Sequence, residues 1–473
     1  MGTSTSATPD RSHGGPTGPV PAIEVVGELV ARDEELLTTD ALMVAARLHE
    51  RIDAARAALL RARRARREQL RMAGAAGTVQ FTETSRIARD DALWRAVPSG
   101  ALTDTWIADL DEPTAPYWST VIAGHLKVRD AITGRLPGGE PHDAGHQVAV
   151  RPRGWQAQDR NVIVDGWPIS ATALDLALHL THAARPLLEQ GGAPVLVLPD
   201  VQSAEEAELW QVALASVEEQ LGLPTSTVQV VVCVESLPGA TDLEAITYTL
   251  RDRLAGMSVD THAYLASIVQ CLGTQTSIPE QGLPGAGNPA LRSLTTLVTE
   301  TARRRGTQVV GGFDARLAQA DSRAIDATAL ITIASAPLAP ADVRRAMRTA
   351  LSGIAGWLEG ATPIIGAVPT DTRARIELAR AQVWQWRAQG AVLDDGRILD
   401  DGMIREWLAE TAADLARQRG ARGLAAAVEL FGDLIRDRDT SRTFTAVAYG
   451  RWVAPVPSMD VAYALPDLLL ASA

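Results

Sequence analysis

Four apolar runs with the composition of buried strands each end on a charged residue, and that recurrence constrains the fold more than any other feature of the chain. Ile107-Ala108-Asp109 leads to Asp111, and Val148-Ala149-Val150 leads to Arg151 and Arg153. Val195-Leu196-Val197 leads to Asp200, and Val230 to Val234 leads to Glu235. Charged groups gathered at the carboxyl ends of buried parallel strands are how a (β/α) barrel builds the mouth of a site. Further strand-like runs lie near 307–311 and 329–334, and helical patterns fall between runs at Ala171 to Leu188, Ala204 to Leu221, Leu243 to Leu254 and Leu291 to Arg305. Strands alternating with helices imply βαβ units and a parallel sheet. The number of units favours a closed barrel over an open dinucleotide-binding sheet, and no G-x-G-x-x-G follows the first strand.

The expected fold is therefore α/β: a (β/α)8 TIM barrel over residues 99–336, with an N-terminal helical arm at 23–98 and a C-terminal helical domain at 337–473. A length of 473 residues accommodates a barrel of roughly 250 residues plus smaller domains. Residues 1–22, rich in Gly, Ser, Thr and Pro without an apolar period, read as a disordered tail. The arm carries a long helix over 39–73, with Asp40 as its N-cap and apolar residues at Leu42, Ala45, Leu48, Ile52 and Leu59. Its basic end, Arg61, Arg63, Arg64, Arg66 and Arg67, reads as a solvated face rather than a phosphate grip. In the C-terminal domain the periodicity predicts helices at Ala341 to Leu358, Arg373 to Gln389, Met403 to Arg417 and Leu424 to Ile435.

A net charge of -12 argues against a dedicated nucleic-acid binder, and no apolar run reaches the length of a membrane span. With no charged-then-apolar leader and only Cys233 and Cys271, a cytoplasmic protein acting on small molecules is expected, its oligomeric state unspecified. Cys233 reads as an inert core thiol, His179 and His182 as packing histidines, and Trp384 and Trp386 as core residues facing different ways. Gly285-Ala286-Gly287 is too loose for a phosphate cradle.

The ordered motifs resemble the malate synthase family in its shorter isoform class. Trp106-Ile107-Ala108-Asp109-Leu110-Asp111-Glu112, with Pro116 and Trp118, resembles the family's A-D-F-E-D-x-x-S-P-x-W. Val150-Arg151-Pro152-Arg153-Gly154-Trp155 resembles V-R-P-R-G-W-H, and Asp165-Gly166 with Pro168-Ile169-Ser170 resembles D-G-x-P-[IV]-S. Leu250-Arg251-Asp252 with Ala255-Gly256 resembles L-R-D-H-x-A-G. Ala381-Gln382-Val383-Trp384-Gln385-Trp386 and Leu393-Asp394-Asp395-Gly396-Arg397 resemble A-Q-[IV]-W-Q-W and L-D-D-G-R.

The resemblance implies condensation of acetyl-CoA with glyoxylate, aided by Mg²⁺, followed by thioester hydrolysis to malate and CoA. Such chemistry needs a base for a weakly acidic α-proton, a fixed cation for the enolate oxygen, and a metal that polarises the aldehyde. Carried across residue by residue, Arg153 falls on the enolate-stabilising arginine and Glu235 on the metal-binding glutamate. The second metal ligand falls on Ala263, beside Tyr264 of the matching W-D-Y, and Asp260 would substitute only after a local rearrangement. The base of E-D-A-A-T-A-E falls on Thr372, which makes Asp371 the candidate base. Asp109, Asp111, Glu112, Arg153 and Gln156 are the candidate substrate or cofactor-binding residues. Gln156 stands for the histidine after P-R-G-W, and Asp200 and Gln202 for the lysine and glutamate of L-P-K-x-E-S. Residues 314–345 are also much shorter than the family's corresponding stretch.

These departures predict a malate synthase-like enzyme with changed chemistry. It would form or cleave a C–C bond between the enolate of an acyl-CoA, or related thioester, and a 2-oxo acid, with Mg²⁺ binding weakened at Ala263. Two alternatives stay open: a catalytically silent binding or scaffold paralogue, and a metal-free thioester or ester hydrolase in the same pocket.

Overall fold

The computed structural model describes residues 21–28, 30–100, 102, 105–111, 113–135, 147–279, 288–311, 325–360, 365–366, 372–420 and 422–454, without the side chains of 365, 366, 372 and 419. Residues 1–20 of the expected tail, together with Glu112, Gly285 to Gly287 and Asp371, lie outside these. In chain order the first elements are β1 (Ile23–Val25), α1 (Thr39–Ala75), α2 (Glu83–Asp90), β2 (Thr105–Asp109), α3 (Trp118–Ile132) and β3 (Gln147–Arg151). Next come β4 (Gln158–Val164), β5 (Trp167–Ser170), α4 (Ala171–Glu189), β6 (Val195–Leu198), α5 (Ala204–Leu221), β7 (Gln229–Val234), α6 (Leu237–Thr241) and α7 (Leu243–Thr249). The barrel region ends with β8 (Leu254–Val259), α8 (Thr261–Leu272), α9 (Pro289–Arg305) and β9 (Gln308–Val309). Beyond it lie α10 (Pro340–Glu359), β10 (Ile365–Gly366), α11 (Thr372–Gln389), α12 (Asp401–Arg419), α13 (Leu424–Leu434) and α14 (Phe444–Ala448).

The main sheet runs β10-β2-β3-β6-β7-β8-β9, parallel throughout except for the short β10 at its edge. Each parallel strand lies beside its predecessor, with no reversal of order. That is the winding of a barrel, whereas a doubly wound sheet reverses direction at a switch point. Both faces of the strands are buried, as parallel sheets require. Ile107, Ala149, Val195, Val197, Val231, Cys233, Ala255 and Val310 form one apolar cluster on the inner face. The alternate residues Val148, Val150, Leu196, Leu198, Val230 and Val232 join α1, α4 and α5 in a larger outer cluster.

Two elements depart from the sequence expectation. Residues 254–259 form a central strand, which the helical pattern through Leu254 conceals. Gly256 is required there: a Cβ would lie 2.8 Å from Val310 Cγ2 and 3.3 Å from the Gln308 carbonyl. Conversely, the apolar run near 329–334 holds a 3-10 helix over Ala327–Ile331, capped by the Asp326 side chain on the Thr328 N–H.

Helix α1 begins two residues earlier than an Asp40 cap would place it, because Thr38 is the cap and its hydroxyl accepts from the Ala41 N–H. It packs on α4, α5 and α8. Before it, β1 pairs antiparallel with β4, which pairs with β5 across the tight Asp165-Gly166 turn, where both residues take positive φ. Helices α10 to α14 enclose their own core around Trp357, Trp386, Trp407, Phe431 and Phe444. Trp384, on the opposite side of α11, packs instead with α8 and α9, so one helix bridges the barrel and the C-terminal helices.

Candidate functional site

The period-two alternation of a strand carries the inner face directly to the mouth. Ile107, Ala149 and Cys233 point inward, so Asp109, Arg151 and Glu235, each two residues on, share that face at the carboxyl ends of β2, β3 and β7. Asp109 and Arg151 are register partners. Arg151 gathers the acids: Nη2 lies 2.7 Å from Glu235 and 3.3 Å from Asp111, and Nη1 lies 3.8 Å from Asp109. Asp111 also accepts from the Gly154 N–H at 3.1 Å and from Arg373 Nη2, in the first turn of α11, at 2.6 Å. All four residues of the strand-end cluster are at least 96% buried.

Burial pushes the Glu235 carboxyl up to about 8, against the pull of Arg151 and Arg373 and with Asp260 and Asp111 adding to the rise. Asp109 is raised in the same way. The Glu235 Oε1 contact with Arg151 is ionic in distance but off the hydrogen-bond direction, so that oxygen has no hydrogen-bond partner among the described residues.

Arg153 takes a different course. Its Nε and Nη2 fork onto Asp175 at 3.0 and 2.7 Å, and its Nη1 donates to Asp159 at 2.8 Å. Asp175 in turn accepts from the Arg153 N–H and contacts His125 at 3.1 Å. Burial raises the Asp175 carboxyl, but the fork and His125 override it and hold it well below the usual carboxylate range. The structure thus brings Glu235 to Arg151, while the guanidinium of Arg153 is occupied by α4 and β4.

Of the strand-end cluster, Glu235 lines a cavity of about 240 Å³, whose wall also includes Gln156, Asp200, Ala263 and Arg373. The basic end of α1 divides where a solvated face was expected. Arg61 and Arg64 are exposed, whereas Arg63 is buried, forking onto Glu206 at 2.8 and 2.9 Å and reaching Asp200 at 2.9 Å. Arg63 and Arg67 both line the cavity. Arg63 is legible only in hindsight, as a basic position on the helix face of Ile52 and Arg56. Arg373 left one faint signal: a cation beside the position carried over as the base.

The donors for a divalent cation do not fit together here. Ala263 puts a methyl group on the cavity wall where the second ligand was expected. Asp260 is engaged as the N-cap of α8, its Oδ1 accepting from the Ala263 N–H at 2.9 Å. Among the described residues no three His, Cys, Asp or Glu side chains gather in a metal-binding arrangement. Tyr264, the next residue, is buried and donates to the Leu330 carbonyl at 2.9 Å. Thr372 opens α11. His179 is buried, and His182 contacts the Leu36 carbonyl at 2.8 Å. Cys233 and Cys271 are free and buried. Among the described residues no helix is long and apolar enough to cross a membrane.

The family model for the malate synthase TIM barrel domain matches residues 147–348, and that for the malate synthase C-terminal domain matches residues 339–451. A malate synthase of Streptomyces clavuligerus is 27% identical over 91% of this chain and 98% of its own length. One from Myxococcus xanthus is also 27% identical, over 74% of this chain and 76% of its own. A solved malate synthase of Haloferax volcanii, a magnesium/glyoxylate complex, is 15% identical over 69% of this chain and 88% of its own, with a TM-score of 0.35. With both family models matched in order across residues 147–451, the chain belongs to the malate synthase family.

Proposed function

We propose that the chain is a malate synthase-like enzyme with altered chemistry, joining or splitting a C–C bond between the enolate of an acyl-CoA, or related thioester, and a 2-oxo acid such as glyoxylate. The observation that carries this reading is the arginine–carboxylate cluster of Asp109, Asp111, Arg151 and Glu235 at the strand ends, which reaches through Glu235 a cavity roofed by α11. A base takes the α-proton of the thioester, and the enolate carbon attacks the carbonyl carbon of the acid, leaving an alkoxide. Water then splits the thioester and releases the thiol.

Arg151 is the residue best supported as the fixed cation for a developing oxyanion. Its guanidinium is held on the inner face by three acids, so it needs no reorganisation during the reaction. Asp371 remains the proposed base, next to Thr372 at the start of α11. Glu235, Asp260 and Gln156 are proposed as ligand-facing groups, and Arg153 is proposed as a positioning residue for the turn after β3. The relatives' malate synthase activity suggests acetyl-CoA and Mg²⁺ as the first ligands to try, although the donor set gives no route for a step through the metal. Two buried free thiols accord with a cytoplasmic setting.

The test is a free-thiol assay over a panel of acyl-CoAs and 2-oxo acids, with and without Mg²⁺. Thiol release that needs both substrates and falls about 10²- to 10³-fold in Arg151→Gln is expected. Release from acyl-CoA alone would mark a hydrolase, and none across the panel would mark a binding protein. Either result overturns the proposal.

A further inference from the structure

The cavity reaches well past the residues carried over from the motifs. On α8 its wall starts at Ala263, where the second metal ligand was expected, and continues through Ser267, Gln270 and Cys271. Cys271 lies just over two turns beyond Ala263, roughly 12 Å by helical rise. Helix α1 runs past that far end, where Gln275 donates to the Arg71 carbonyl and a Cβ on Gly74 would lie 2.5 Å from Leu272. Leu60, Arg63 and Arg67 share one face of α1 and form another part of the wall. An apolar cavity of about 150 Å³ holds benzene, so about 240 Å³ has room for roughly ten non-hydrogen atoms, twice the number in glyoxylate.

Arg67 is a half-buried guanidinium without a counter-ion at that far end. Its neighbour Arg63 is matched by Glu206 and Asp200, whereas Arg67 makes no ion pair or hydrogen bond among the described residues. The groups that act on it electrostatically do not supply one. Burial pushes the Cys271 thiol up to about 12, so it is neutral. Asp200 is held by Arg63 and Gln202, and Asp439 accepts from the Ser441 N–H and hydroxyl. Burial accordingly loosens the proton of Arg67, with Arg63 adding to that and Cys271, Asp439 and Asp200 opposing it. A guanidinium withdrawn from water ordinarily faces an acid, and Arg67 lines a cavity through which an acid can reach it. A single planar fork meets a single carboxylate, which makes a carboxylate the fitting anion here.

We propose that Arg67 binds a second carboxylate on the acid substrate, so that the site takes a 2-oxo dicarboxylic acid with its carbonyl towards Glu235 and its far carboxylate on Arg67. This rests on the reading of the site as one for a 2-oxo acid and adds which acid. Calorimetric titration of the full chain, with Mg²⁺ present throughout, compares 2-oxoglutarate and 2-oxoadipate with the monoacids of equal chain length, 2-oxopentanoate and 2-oxohexanoate. At least one dicarboxylate should bind about 10- to 100-fold more tightly than its monoacid, the range for a charge-assisted contact. Arg67→Gln should remove that advantage and leave the monoacids unchanged, and Arg67→Lys, which keeps the charge without the fork, should retain part of it. Because no ion pair is broken, the urea midpoint of Arg67→Gln should match the parent, which separates a lost ligand contact from a damaged fold. Dicarboxylates that bind no better than their monoacids, or an advantage that survives Arg67→Gln, would overturn this inference and leave the 2-oxo acid reading standing. Loss of acetyl-CoA affinity in Arg67→Gln, with dicarboxylate affinity kept, would assign the guanidinium to the thioester and also overturn it. No binding of any of the four acids would overturn both readings.

Discussion

Truncating Arg153 to alanine separates a structural arginine from a chemical one. The side chain is 2% exposed and joins Asp175 and Asp159, both essentially inaccessible, through three contacts of 2.7 to 3.0 Å. Removing it leaves Asp175 with the residue 153 N–H and His125, while Asp159 Oδ1 keeps only the Asn161 groups. Breaking a buried pair from one side costs about 3–5 kcal/mol, because a desolvated charge is left behind. Urea denaturation followed by circular dichroism should show a deficit of that size for Arg153→Ala. Adding Asp159→Asn should recover about 1–3 kcal/mol of it, since the orphaned charge is then gone. The deficit also has a pH signature. Asp175 is depressed in the folded state, so its stabilisation is present above the unfolded carboxylate value of 3.8 and is lost as pH falls through the lower folded value. The variant should therefore differ most from the parent above about pH 4 and converge with it in stronger acid. A cost below about 1 kcal/mol, with two-substrate thiol release abolished, would refute this reasoning and return Arg153 to the chemistry.

Two further outcomes follow from single residues. His179 is buried with no hydrogen-bond partner for Nε2 among the described residues, and burial lowers it to about 3, with His125 and His182 assisting and Asp175 opposing. The unfolded chain takes up that proton first, so stability should fall by about 2 kcal/mol between pH 7 and pH 5, and His179→Leu should flatten that part of a stability–pH curve. Gly423 enters α13 at φ +67°, where a Cβ would lie 2.9 Å from the Ala355 carbonyl. Gly423→Ala should cost about 1–3 kcal/mol, read as a lowered melting temperature; an unchanged value would show that α10 yields.

The sequence was most legible where local periodicity and burial coincide. Ala204 to Leu221 is a helix with those bounds, capped by Ser203 and ended by Gly222, because its caps and apolar period agree. The inward parity of Asp109, Arg151 and Glu235 could be counted from their strands. Strand β8 was hidden because its Ala-Gly centre has little strand character of its own, and the glycine answers to Val310 more than fifty residues away. The run near 329–334 misled in the opposite sense, since β-branched residues do not make a strand without an edge to pair with. Which arginine meets Glu235 depends on α4 and β4 supplying Asp175 and Asp159 to Arg153. The Asp111–Arg373 contact spans 262 residues, and no local pattern encodes it.

The short strand at the start of the described chain has a consequence for synthesis. Ile23 pairs with Val164, so the segment leading into α1 emerges from the ribosome well over a hundred residues before its partner exists. At about 5–20 residues per second that is a wait of roughly 7–30 s. Throughout it, the apolar face around Leu48 and Ile52 has no α4 or α5 to cover it. A nascent chain of this kind is exposed to chaperone capture until the hairpin arrives to receive it.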